Sequence, residues 1–396
     1  MKILVVAASY SANISGLQRH AFNMVRCLLL NPDITAVHLV LAPWQRKMAA
    51  SAGLGSDPRL AIHFEEMDRG TLARNLWYYR KLPQLVSRLK PDLVHLTYPM
   101  PVDAEAIRCP TVLTLHDLYP YEIPRNFGLH KVLFNRVILQ HCLNSVDAIA
   151  CVSETTMNRL KQYASTKTYQ KATRLYNCVE PEPFCATRSP LPGWQGEPFL
   201  LSVAQHRRNK NIPLLIRAFD RLLQQEQIHP ATKLVVIGIK GPETHLIETL
   251  VSRRGLHKSV IFLEGLEEME LQWCYSCSEA VVLPSVTEGF GLPVVEALLA
   301  GCRVVCSDIP AFREVGDRHC RFIELREDAE EALATGIRAT LDNPAKEPMS
   351  LPHLSAEVLA NEYARLYRDL IPAASIAKSM TRNSSIQLVA PERQSL

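Results

Sequence analysis

The sequence predicts an α/β protein of two domains, each a parallel, Rossmann-like sheet flanked by helices, facing one another across a cleft. Three observations predict it. Short apolar runs alternate with longer amphipathic segments almost from end to end, the pattern of strand–helix–strand units with parallel sheets. That alternation breaks once, over residues 177–197, where Pro181, Pro183, Pro190, Pro192, Gly193 and Gly196 collect, and then restarts. The chain has 396 residues, too many for one ordinary core when domains run about 100–200 residues.

Each element has its own justification. Residues 2–8 are rich in Ile, Leu and Val and read as a buried parallel strand. A signal peptide is the rival reading, but the run is short and ends in Ser9, Tyr10 and Ser11 with no small-residue cleavage pattern. Residues 16–30 place Leu17, Ala21, Met24, Val25 and Leu28 at helical spacing. Strands are expected at 36–41, 92–96, 111–115 and 147–152, and helices at 71–89, 131–143 and 153–163, the last with Ser153 as N-cap. Beyond the proline-rich connection, strands are expected at 199–203, 233–237, 260–263, 280–283 and 303–306. Helices fill the gaps at 212–227, 243–253, 268–277 and 293–300. Residues 356–370 make an amphipathic helix with Leu359, Tyr363, Leu366, Tyr367 and Leu370 on one side. The expected division is a first domain at 1–178, a linker at 179–197 and a second domain at 198–355. A helix at 356–371 is expected to return to the first domain, and the polar tail at 372–396 to be disordered.

Composition narrows the function. Hydrophobic residues make up 47% and charged residues 21% of the chain, ordinary values for a soluble globular protein. The net charge of +4 is mild, and nucleic-acid binders concentrate basic residues in a stripe, so no nucleic-acid partner is expected. It suits weak attraction to phosphate-bearing substrates or to an anionic membrane face. No run of 18 apolar residues is present to span a bilayer. The expected location is the cytoplasm, with peripheral contact at the inner membrane face left open. Among eleven cysteines, Cys274 and Cys277 have C-x-x-C spacing, but no second pair completes a zinc site. The cysteines read as reduced, buried small hydrophobes, and no metal or resident cofactor is expected.

Ligands of open parallel sheets sit beyond the carboxyl ends of the strands, so two facing sheets put the site in the cleft. The most specific stretch follows the strand ending at Leu283: Pro-Ser-Val-Thr-Glu-Gly-Phe-Gly-Leu-Pro-Val-Val-Glu, residues 284–296. Gly289 and Gly291 permit unusual backbone angles and close approach, and Pro293 suits the first turn of a helix whose N-terminus favours phosphate. Glu288 lies before that turn and Glu296 about one turn inside, and carboxylates accept hydrogen bonds from vicinal hydroxyls. Two solvated surface glutamates are the plainer reading, which the intervening glycines and proline oppose. Residues 202–211, Ser-Val-Ala-Gln-His-Arg-Arg-Asn-Lys-Asn, form a basic loop after another strand. Lys210 and an arginine there suit the charge on a departing diphosphate, against the rival of a merely solvated loop. In the first domain, Gly16 opens a helix after the first strand, and His116 ends the strand at 111–115. Tyr119, Tyr121 and Arg125 follow in a loop suited to lining an acceptor pocket, since aromatic faces stack on sugars.

Glu288 and Glu296 are separated by seven residues, and Glu-Gly-Phe-Gly-Leu-Pro-Val-Val-Glu-Ala resembles the E-x7-E motif of glycosyltransferase family 4. The resemblance implies a GT-B fold, retention of anomeric configuration and no metal. It implies that Glu296 binds the nucleotide ribose and Glu288 the donor-sugar hydroxyls, and that the backbone N–H groups of Phe290, Gly291 and Leu292 meet the donor. Lys210-Asn211 is similar to the family's Lys-Asn pair. Upstream the family's glycine falls on Ala204 and its usual arginine on Gln205, so either Arg207 or Arg208 substitutes, Arg207 being favoured, or phosphate binding is altered. Gly16 resembles the glycine of the family's first loop, with Ser15 in place of a second glycine. His116-Asp117 resembles a His-Asp pair whose histidine faces the donor sugar. Ser153-Glu154 and residues 310–314 resemble further family segments.

The expected activity is transfer of a hexosyl unit from a nucleoside diphosphate sugar to the hydroxyl of a glycan, lipid-linked or small-molecule acceptor. Its expected catalytic residues are His116, Arg207, Lys210 and Glu288. Gly16, Arg208, Phe290, Gly291, Leu292 and Glu296 are expected to bind the donor, and Tyr119, Tyr121 and Arg125 the acceptor. A nucleotide-sugar epimerase is the alternative, distinguished by a product formed without acceptor. A non-catalytic nucleotide-sugar-binding protein is another, opposed by Glu288, Glu296 and Lys210. A dinucleotide oxidoreductase is weaker, since no full Gly-x-Gly-x-x-Gly follows the first strand.

Overall fold

The structure is a computed structural model describing residues 1–12, 15–54, 57–124, 129–179, 189–343 and 347–371. The first domain runs β1 (Lys2–Val6), α1 (Gly16–Leu30), β2 (Ala36–Leu41), α2 (Arg46–Ser51), β3 (Leu60–Phe64), α3 (Thr71–Leu89), β4 (Leu93–Leu96), β5 (Thr111–Leu115), α4 (Tyr119–Glu122), α5 (Leu129–Ser145), β6 (Ala148–Cys151), α6 (Glu154–Tyr163), α7 (Thr166–Tyr169) and β7 (Ala172–Arg174). Its strands pair in parallel in the order β3-β2-β1-β4-β5-β6-β7.

The second domain runs β8 (Phe199–Val203), α8 (Ile212–Gln224), β9 (Lys233–Ile237), α9 (Thr244–Arg253), β10 (Val260–Leu263), α10 (Glu268–Cys277), β11 (Ala280–Leu283), α11 (Leu292–Leu299), β12 (Val304–Ser307), α12 (Pro310–Gly316), β13 (Cys320–Ile323) and α13 (Ala329–Leu341). Its parallel sheet has the order β10-β9-β8-β11-β12-β13. Both expected α/β layers are therefore present.

The central strands are continuous apolar runs because helices cover both faces of each sheet: β4, β5, β6, β11 and β12 are buried throughout. Strands without such a run escaped the sequence reading. In β3 Ile62 is exposed and the other residues are only partly buried, β7 has three residues, and β13 carries the exposed Arg321. The last helix, α14 (Ala356–Leu370), packs on the first domain, with Leu359, Tyr363 and Tyr367 in one core with Met24 and Leu28 of α1. Residues 180–188 of the linker expected at 179–197, and the whole tail at 372–396, lie outside the described residues. No helix among the described residues is long and apolar enough to cross a membrane.

Strand order reverses between β1 and β4 in one sheet and between β8 and β11 in the other. Beside these points, the loops after β5 and β11 meet where the domains touch. A Cβ at Gly289 would sit 1.7 Å from the main-chain oxygen of His116, so the two loops pass too closely for any side chain there.

Candidate active site in the interdomain cleft

The loop after β11 turns into α11 at Gly291, whose φ of 108° belongs to the left-handed region where glycine is favoured. A Cβ at Gly291 would also lie 2.9 Å from the Phe312 ring. The turn leaves the first N–H groups of α11 without helical acceptors. Leu292, the first helical residue, lies across the cleft from Gly16, with 3.7 Å between its Cδ1 and a Cβ placed there. The N-terminal ends of α1 and α11 thus point at one space. Phe290 is buried with its ring 5.9 Å from that of Tyr176.

Both carboxylates are turned inward. Glu288 is 7% and Glu296 9% exposed. Lys210, in the 3-10 turn Arg208–Lys210 after β8, brings Nζ to 2.5 Å from Glu288 Oε1. The other oxygen of Glu288 accepts from the Tyr119 hydroxyl of the first domain at 3.2 Å. Asn209 donates to the Tyr119 oxygen at 3.3 Å. Glu296 accepts from the Tyr275 hydroxyl at 2.7 Å and lies 3.5 Å from Arg19, whose guanidinium also pairs with Glu268 at 2.9 Å. Each glutamate is therefore gripped by both domains.

His116 donates from Nε2 to the main-chain carbonyl of Thr97 at 2.8 Å, and a carbonyl only accepts, so the ring proton is on Nε2 and Nδ1 keeps a lone pair. Burial holds its pKa down at about 4, against that carbonyl contact. Next to it, burial pushes the Asp117 carboxyl up to about 6, opposed by the Tyr119 amide and the Arg207 and Lys210 charges and reinforced by Glu288. Asp117, Arg207, Lys210 and Glu288 thus share one electrostatic environment.

The structure brings Gly16, His116, Arg207, Lys210, Glu288, Phe290, Gly291, Leu292 and Glu296 to one cleft. Four expectations need correction or fall outside it. Arg208 remains exposed on the outer residue of the turn, and none of the described residues holds its guanidinium. Tyr121 stacks on Tyr163 with centroids 4.8 Å apart, beneath the Arg136 guanidinium, and so serves α5–α6 packing rather than an acceptor pocket. Arg125 lies outside the described residues. Tyr119 belongs on Glu288 instead of in a separate pocket, because the one-turn helix α4 swings its hydroxyl across the domain boundary. Sequence reasoning missed Arg19, Arg159 and Tyr275, for which no local motif signals the contact. Among the described residues no group of three or more His, Cys, Asp or Glu side chains is placed to hold a metal.

Two family models match the chain, one on each domain. Residues 14–183 match Glycosyltransferase Family 4, and residues 188–352 match Glycosyl transferases group 1. The O-antigen chain mannosyltransferase RfbU of Salmonella typhimurium is 28% identical over 207 residues, 51% of this chain and 53% of that protein. The alpha-monoglucosyldiacylglycerol synthase of Streptococcus pneumoniae is 24% identical over 296 residues, 72% of this chain and 66% of that one. The matches span about half the length of the first of these curated relatives. Among solved structures, Anabaena Alr3699/HepE in complex with UDP-glucose superposes with a TM-score of 0.62 at 16% identity, covering 98% of this chain and all of that one. That likeness shows the two-domain GT-B architecture. With its two halves matched in succession and the glutamate pair in the cleft between them, the chain belongs to glycosyltransferase family 4.

Proposed function

We propose that the protein transfers a hexosyl unit from a nucleoside diphosphate sugar to an acceptor hydroxyl, with retention and without a metal ion. The observation that carries this reading is the pair of buried carboxylates, Glu288 and Glu296, gripped from both sides of the cleft beside Lys210. The Lys210–Glu288 ion pair keeps both charges compensated while no donor is bound, since an unpaired buried charge is costly. A donor replaces each partner in kind. Its β-phosphate takes Lys210 and Arg207, and its sugar hydroxyls donate to Glu288. The ribose hydroxyls donate to Glu296, which Tyr275 and Arg19 hold in place. The lone pair on His116 Nδ1 accepts from a further sugar hydroxyl.

In the reaction the bond from the anomeric carbon to the β-phosphate oxygen breaks, and the acceptor oxygen bonds to that carbon on the same face. The acceptor proton passes to the departing phosphate. Lys210, Arg207 and the N-terminus of α11 stabilise the charge that develops there, so catalysis is positioning plus fixed electrostatics. The acceptor approaches over the first domain. The activities of the two relatives, an O-antigen mannosyltransferase and a glycolipid synthase, favour a glycan or lipid-linked acceptor.

Contact with an anionic membrane face belongs to the same reading. Helices α3 and α5 contain no Asp or Glu, while α3 carries Arg74, Arg80, Lys81 and Arg88, and α5 carries Lys131 and Arg136. Both pack on one face of the first sheet. Their first halves expose Leu72, Leu76 and Tyr79, and Leu133, Phe134 and Val137. Basic helices with apolar side chains turned outward suit an anionic bilayer surface.

The test is a thermal-shift panel of UDP-, GDP-, ADP- and dTDP-sugars followed by product analysis. One donor at about 100 times its Kd adds about 2.7 kcal/mol of stability and raises Tm by several degrees. That donor then glycosylates an acceptor hydroxyl with unchanged anomeric configuration, in the presence of EDTA as in its absence. A panel in which no nucleotide sugar moves Tm contradicts the assignment.

A further inference from the structure

The main chain of residues 284–291, the loop between β11 and α11 that the transfer reading makes the donor loop, is held by the first domain. Arg159, in the second turn of α6, donates from Nη1 to the carbonyl of Glu288 at 2.7 Å. The same guanidinium is clamped through Nε by Glu122 at 2.7 Å, at the end of α4. Both side chains of that pair are largely buried, at 16% and 13% exposure. One turn earlier on α6, the hydroxyls of Thr156, at 3.0 Å, and of Ser153 donate to the carbonyl of Gly289. Three donors on one helix face therefore hold two successive carbonyls of the second domain.

A trans peptide points its N–H opposite to its C=O. With the carbonyls of Glu288 and Gly289 turned toward α6, the N–H groups of Gly289 and Phe290 are turned away from it. We infer that Arg159 is a positioning residue that sets the orientation of the donor-loop peptides and ties that loop to α4 through Glu122. The inference rests on the glycosyl-transfer reading for its consequence, though not for its geometry. Glu288 is then fixed at two points from the first domain, its side chain by Tyr119 at the start of α4 and its main chain by Arg159, itself held at the end of α4. A ligand that shifts α4 is felt by the donor loop through both. Arginine is required because its planar fork spans a carboxylate and a carbonyl at once, which a lysine ammonium does less well.

The experiment uses the full chain with Arg159→Met, Arg159→Lys and Glu122→Gln. Amide hydrogen exchange is read over 284–292, and affinity is measured by calorimetry for UDP and for GDP. In Arg159→Met, exchange over 284–292 rises about tenfold and the affinity of whichever nucleotide binds falls about tenfold, the loss expected for one charge-assisted hydrogen bond. Protection within α6 itself stays as in the parent chain. Arg159→Lys, which keeps the charge and can reach one partner, lies between. Glu122→Gln speeds exchange over 284–292 in the same direction. Exchange and affinity within about twofold of the parent in Arg159→Met overturn the positioning role, since that change is below 0.5 kcal/mol. An unchanged loop in Glu122→Gln overturns the tie to α4. If none of the UDP-, GDP-, ADP- and dTDP-sugars binds the parent chain, the transfer reading falls, and the exchange measurement, which needs no ligand, still decides the role of Arg159.

Discussion

His116 meets the cleft from a pocket that holds two more imidazoles. Its ring lies edge to face with His20, centroids 4.6 Å apart, and His20 and His95 both reach the Thr114 hydroxyl, at 3.2 and 2.7 Å. The Tyr367 hydroxyl of α14 bonds His95 Nδ1 at 2.6 Å. Burial keeps these rings neutral: the pKa of His95 is lowered to about 3 and that of His116 to about 4. The histidine at the strand end was legible because a polar side chain leaving a buried strand stands out. His20 and His95 were not, since each sits within a helix or strand that reads as core. The same holds for Arg19 and Arg159, which reach partners 277 and 129 residues away in the chain. Glu288 and Glu296 were legible because the glycines and proline that shape their turn are adjacent to them. The pocket predicts a pH dependence. Below pH 6.5 the unfolded chain protonates these histidines while the folded chain does not, so stability is lost as pH falls toward about 4 and regained as it rises. Asp117, raised to about 6, acts oppositely between about 4 and 6, and one such group is outweighed by His95 and His116 together. Urea unfolding between about pH 4.5 and 7 shows stability rising by about 1 kcal/mol or more per pH unit at the lower end, each unmatched proton being worth about 1.4. A flat or falling curve over that window contradicts the neutral-imidazole assignment.

At the level of elements, the sequence made visible whatever had room to repeat. Helix α3 and strands β2, β5, β8, β9 and β11 coincide with the expected spans, because a period needs several turns or an unbroken apolar run to show. Helices α4 and α7 are single turns with no period. Helix α12 begins at Pro310 and ends within seven residues. Two of these short helices matter most to the cleft, since α4 supplies Tyr119 and Glu122, and α12 supplies Glu314. Helices α3 and α5 were read correctly as helices, yet only the structure shows which of their apolar residues remain outside. Leu72 is 77% and Leu133 68% exposed, more than packing needs from residues that cost solvation to leave in water. The full chain is expected to co-sediment with phosphatidylglycerol vesicles and not with phosphatidylcholine vesicles, and to be released by raised salt. Leu72→Asp with Leu76→Asp, or Leu133→Asp with Val137→Asp, weakens that binding about tenfold or more, through lost apolar burial and added negative charge. Equal binding to both vesicle types removes the membrane face from the assignment.

At the scale of the whole molecule, the two sheets were legible and their mutual placement was not. Each sheet follows from local alternation, whereas the closed arrangement depends on a few polar contacts between residues far apart in sequence. The most economical of these is a borrowed helix cap. Both oxygens of Glu314, on α12 of the second domain, accept the first N–H groups of α6 in the first, from Glu154 at 2.7 Å and Thr155 at 3.0 Å, with the Thr155 hydroxyl at 2.9 Å. The positive end of α6 favours a carboxylate there. Separation of the domains strips α6 of this cap and releases the carbonyls of Glu288 and Gly289 together, so closure and the shape of the donor loop are one equilibrium. A donor's apparent affinity is its intrinsic affinity times the closed fraction. Glu314→Ala removes a cap worth about 1–2 kcal/mol and shifts that equilibrium toward the open form. The variant is expected to show a larger radius of gyration by small-angle X-ray scattering and up to about tenfold weaker donor binding, with each domain's core unchanged. Added donor restores the parent's radius, because a ligand that binds only the closed form repays the lost cap from its own binding energy. Identical scattering curves for parent and variant, without donor and with it, exclude Glu314 from closure.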